Sequence, residues 1–74
     1  MQFENHFKES QQEIAKEYLR QAEAELKRAI SLSKQGKFDA SEIHGMHGLR
    51  LLGELRTMNK GFISEMENVR YHWM

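Results

Sequence analysis

His44 and His47 are the residues whose type and spacing point most directly to chemistry. Imidazoles three residues apart share one face of a helix, and each carries a nitrogen able to bind a transition metal. Two ligands do not complete a site, because zinc takes four, or three with one open position. Glu42, a distant residue or a second copy of the chain would have to supply the others. No His-Glu-x-x-His pattern is present. A metal-binding helical bundle through His44 and His47 is therefore one reading. The plainer one has both imidazoles bonding carbonyls or water near a turn.

Other residue types offer less. General acid–base catalysis needs paired carboxylates in a cleft that shifts their pKa values. Glu4, Glu9, Glu13, Glu17, Glu23 and Glu25 instead read as the solvated face of one helix. Ser31, Ser33, Ser41 and Ser64 lack the setting of a nucleophile elbow. Gly45-x-x-Gly48 is not followed by the Gly-Lys-Ser/Thr of a phosphate-binding loop. The expectation is a chain that is not an enzyme and takes no cofactor.

The elements that would carry these residues are constrained by composition. The chain has 74 residues, 11 basic and 11 acidic, with no cysteine and no proline. Two domains do not fit in this length, and a disulfide scaffold is impossible. No apolar run is long enough to span a bilayer, and Met1-Gln2-Phe3-Glu4 does not open a signal peptide. A cysteine-free chain of this size suits the cytoplasm of a bacterium or its phage. A zero charge balance argues against a strong non-specific nucleic-acid binder. The core must be thin, so a partner subunit or a metal is the expected source of added stability.

Residues 4–35 are rich in good helix formers. Phe7, Ile14, Ala15, Tyr18, Leu19, Ala22, Leu26, Ala29, Ile30 and Leu32 fall in one stripe about 160° wide, the mark of an amphipathic helix. Glu4 with Lys8 and Glu23 with Lys27 have the favourable acid-before-base spacing. Gly36 can end the helix in the left-handed conformation, with Lys34 suited to the last turn. Phe38 reads as an apolar plug in a turn over residues 36–39. Asp39 reads as an N-cap, with Glu42 three residues on in a variant capping box. Gly36-Lys37-Phe38-Asp39-Ala40 resembles the turns of helical-repeat hairpins such as tetratricopeptide units. No second copy occurs, so no solenoid is implied.

A second helix is expected over residues 40–71. Leu51, Leu52, Leu55, Met58, Phe62, Ile63, Met66, Val69 and Trp73 share a face. Gly45, Gly48 and Gly53 each cost a helix roughly 1 kcal/mol relative to alanine, which leaves two possibilities. The helix breaks near Gly45–Gly48 and the chain forms a three-helix bundle, or it continues because another backbone comes close. The heptad spacing of Ala15, Ala22 and Ala29 favours the second, since small residues admit a close neighbour. Ser41, Gly45, Gly48 and Leu52 form the matching strip. Ile43, Met46 and Leu49 lie roughly opposite the face that runs from Leu51 to Trp73, and one hairpin cannot cover both sides of a helix. The expected architecture is all-α, a long antiparallel hairpin that dimerises into a four-helix bundle, with Ile43, Met46, Leu49, Leu52 and Leu55 between the copies.

Charge is segregated along the chain. Residues 1–25 carry six acids and three bases, residues 26–60 seven bases and three acids, and residues 61–74 a net −1. A hairpin would place base at the turn and acid at the open end, a dipole that can steer a partner. Lys37 and Arg50 are the candidates for phosphate contact. Phe3, Phe7, Tyr71 and Trp73 gather aromatic surface at the open end, where they would either close the bundle or bind a partner. The expected function is a non-catalytic regulator, adaptor or inhibitor that binds a larger protein and itself. A nucleic-acid-binding regulator and the histidine metal bundle are the alternatives.

Overall fold

The computed structural model describes residues 2–60. Its regular elements are all helical among the described residues, and its frame is two helices packed antiparallel: α1, Gln12–Lys34, and α2, Phe38–Met58. Two short 3-10 turns, Phe3–His6 and Glu9–Gln11, precede α1.

The turn follows the backbone chemistry expected of glycine. Gly36 sits at φ +79°. Its N–H donates to the Ser33 carbonyl at 3.0 Å, and the Lys37 N–H donates to the Leu32 carbonyl at 2.9 Å. This pair of bonds is a Schellman motif, which satisfies carbonyls left over at the helix end. Glycine takes the left-handed position at no steric cost. The restart differs from the expectation. α2 begins at Phe38 with Lys37 at the cap position, and no side chain caps it. Asp39 lies inside the first turn, where its charge still suits the positive end of the helix. Phe38 projects into solvent rather than plugging the turn, because the Schellman bonds close the loop without a side chain beneath it.

The seam between the helices is built from small residues. Ala15, Ala22 and Ala29 are buried along α1, and Gly48 faces them from α2. A methyl group placed on Gly48 would lie 2.8 Å from Leu26 Cγ and 3.4 Å from the Ala22 carbonyl oxygen. On Gly45 it would meet Ala29 Cβ at 3.7 Å. The Ser41 hydroxyl donates to the Ala29 carbonyl at 2.6 Å. The backbones therefore approach closely, and α2 runs unbroken through Gly45, Gly48 and Gly53. The break near Gly45–Gly48 required by the three-helix alternative does not occur. Close packing over these glycines offsets their poor helix propensity.

Both outer ends depart from the sequence reading. The first helix starts at Gln12, not at residue 4. Phe7 and Lys8 are extended, and this bend turns Phe7 into a core cluster with Ala15 and Leu55. The physical reason is the length of α2. Its last turn lies level with the start of α1, so a helix continued back to residue 4 would leave Phe7 with nothing to cover it. Folding back buries the ring to 4% exposure, and Phe3 packs beside it with ring centroids 4.9 Å apart. α2 ends at Met58, since Asn59 has ψ 132°. The Lys60 N–H then donates to the His6 carbonyl at 2.9 Å, tying this end to the N-terminal turn. The expected continuation to residue 71, with Phe62, Ile63, Met66, Val69 and Tyr71, and Trp73 beyond it, lies outside the described residues.

Candidate functional site

Among the described residues, the outer face of α2 has no neighbouring element packed on it. Gly48 and Leu55 mark the buried side of the helix. Met46 lies roughly opposite them at about 100° per residue, with Ile43 and Leu49 one turn to either side. These residues are 61%, 54% and 66% exposed, and Phe38 is 66% exposed. Leu52, at 38%, joins this face to the seam. An open groove of about 500 Å³ runs beside Met46, His47, Leu49 and Arg50. Glu42 and Arg50 share this face, each about 40° to one side of Met46 by the helical period. Leu55, expected between copies, is instead buried inside the hairpin against Phe7 and Ala15. It stands half a turn from the exposed row.

The histidines are engaged by a residue that the sequence reading assigned to solvent. The His44 Nδ1–H donates to Glu25 Oε2 at 2.8 Å. His47 Nδ1 lies 3.8 Å from the same oxygen. The two rings stand edge to face, 6.3 Å between centroids. The hydrogen bond from His44 holds the Glu25 carboxyl below its ordinary range; partial burial opposes the shift, and the nearby charges of His44, His47 and Arg28 add to it. Glu42 lies about 200° round the helix from His44 and takes no part. Among the described residues, no three His, Asp or Glu side chains are gathered so as to hold a metal ion. The cluster clamps α1 to α2 on one flank of the hairpin. Nothing in the sequence singled out Glu25, because the contact spans nineteen positions and depends on how the helices register.

Glu13 and Glu17 of α1 find partners along their own helix. Glu17 accepts from Arg20 Nε at 3.0 Å and from Gln21 Nε2 at 3.0 Å. Those hydrogen bonds, Arg20 first, lower the Glu17 pKa to about 2 and raise that of Arg20. Lys16 reaches Glu13 at 3.3 Å and Glu4 at 3.7 Å.

The basic end is smaller than segment counting suggested. Lys27, Arg28, Lys34 and Lys37 lie toward the turn, but Arg56 and Lys60 fall at the open end beside the acids of the N-terminal region. Arg50 sits in the middle of α2, next to the apolar row. The aromatic group at the open end divides as well. Phe7 is buried, and Phe3, partly buried, packs on it. Tyr71 and Trp73 lie outside the described residues. No helix among the described residues is long and apolar enough to cross a membrane. Compared with family models, curated proteins and solved structures, the chain matches none.

Proposed function

We propose that the chain is a non-catalytic protein-binding element, a small regulator, adaptor or inhibitor, whose contact surface is the outer face of α2. The observation that carries this reading is the row Ile43, Met46 and Leu49, each more than half exposed on a helix whose other side is already packed. Exposed apolar patches of several hundred square ångströms with polar rims are the usual mark of protein contact surfaces. Methionine at the centre suits such a contact, since its flexible thioether adapts to the shape opposite. The pairing of two hairpins into a four-helix bundle belongs to this reading.

The test uses Met46→Glu, which adds charge at an exposed position and keeps a good helix former there. The full chain and the variant are each used to capture proteins from the native host, with circular dichroism confirming that both fold. The expected result is a bound protein, or a second copy, retained by the wild type and lost by Met46→Glu. Retention of the same partners by both overturns the reading. Binding of DNA or RNA that weakens steeply with salt and needs Lys37 overturns it in favour of the nucleic-acid alternative.

A further inference from the structure

The outer face of α2 carries a pattern that matches its own reverse. Ile43 and Leu49 lie three residues to either side of Met46, and Glu42 and Arg50 lie four to either side. In an antiparallel pair of helices related by a two-fold axis, each residue stands level with the one equally far beyond the axis. With the axis at Met46, that residue meets its own copy. Ile43 comes level with Leu49 of the other copy, and acidic Glu42 with basic Arg50. Gly53, level with Asp39, has no atom within 4 Å of where its Cβ would be. The surface is thus open where the second helix would lie.

We infer that the occupant of this face is a second copy of the chain, packed antiparallel along α2 with its two-fold axis at Met46. This inference rests on the protein-binding reading above and names the partner. The charge pattern suits a second copy running antiparallel, because opposite charges meet in this register, whereas like charges would meet if the two helices ran parallel. At helix separations of 8–10 Å, a residue on each side of the seam is within reach of an arginine side chain. The area is adequate. Phe38, Ile43, Met46, Leu49 and Leu52 expose on the order of 500 Å² per copy, so a contact that covered them fully in both copies would bury about 1,000 Å² from these side chains, the lower bound for a specific interface. The flanking charged stems add to it.

Sedimentation equilibrium on the full chain tests the inference. The wild type sediments as a dimer at micromolar concentration, and Met46→Glu sediments as a folded monomer. Glu42→Arg and Arg50→Glu each raise the dimer Kd about tenfold, since each sets like charges opposite at two symmetric places. The double variant returns to within a few-fold of the wild type. A monomeric wild type overturns the inference, as does a dimer that survives Met46→Glu. A double variant no better than the singles overturns the register. A monomeric wild type that still loses a captured host protein on Met46→Glu overturns only the second copy and leaves the protein-binding reading standing.

Discussion

Replacing Gly48 with alanine probes the closest approach in the hairpin, and two other glycines of α2 serve as internal controls. Alanine is favoured over glycine in a helix interior by roughly 0.5–1 kcal/mol. At Gly53 no atom of the same chain lies within 4 Å of the new methyl group, so the whole gain is realised within the hairpin. At Gly45 the methyl meets Ala29 Cβ at 3.7 Å, an ordinary contact that preserves the gain. At Gly48 it would stand 2.8 Å from Leu26 Cγ and 2.9 Å from Cδ2. Cγ is the branch point of that side chain and cannot swing clear alone, and the Ala22 carbonyl oxygen at 3.4 Å limits retreat toward α1. Overpacking of this kind costs about 1–3 kcal/mol. Gly48→Ala therefore loses about 1 kcal/mol net, and falls about 2 kcal/mol below Gly53→Ala. For a chain this short that gap separates the melting temperatures by about 10 °C. Urea unfolding followed by far-ultraviolet circular dichroism, at one protein concentration for all variants, gives the comparison. If Gly48→Ala stabilises as much as Gly53→Ala, the helices are not in close contact at Gly48 and the small-residue seam is the wrong account.

Three further outcomes follow from the same geometry. Gly36→Ala loses about 1 kcal/mol because φ is +79° at that position; Gly36→Asn loses less, and thermal melts rank the two. Phe7→Ala costs about 3 kcal/mol by opening the cluster with Ala15 and Leu55, and the Lys60 amide loses its hydrogen-exchange protection as the His6 carbonyl moves away. Acid weakens the fold in a defined direction. The Glu17 pKa is lowered from 4.5 to about 2, so its contribution is fully present above about pH 4.5 and fades as pH falls toward 2. Glu25 acts in the same sense through its bond to His44. Melting temperature plotted against pH declines over that window, and Glu17→Gln with Glu25→Gln flattens the decline.

Much of the hairpin was legible in the order of residues. The period of three and four placed the stripe on α1, and the heptad of alanines marked the seam. Gly36 announced the turn, because only glycine adopts positive φ freely. The strip of Ser41, Gly45 and Gly48 indicated a close neighbour before any neighbour was visible. These are local signals, set by helical geometry and backbone sterics within a few residues. The ends of the helices were not legible, since helix propensity runs on past the point where burial stops. Residues 4–11 can form a helix, yet the greater gain comes from turning Phe7 into the core.

The sequence by itself determined an all-helical chain, the place of its turn and the small-residue seam, because periodicity and glycine geometry act locally. Only the tertiary structure decided which apolar residues the seam consumes and which it leaves exposed. Leu55 and Ile43 look alike as apolar positions on one helix, but one is buried against Phe7 and the other faces outward. The same holds for Glu25. Its own helix offers it solvent, and the register of α2 brings His44 within 2.8 Å. Both outcomes depend on how two helices slide and rotate against each other, which is set by the packing of the whole seam rather than by any short run of residues.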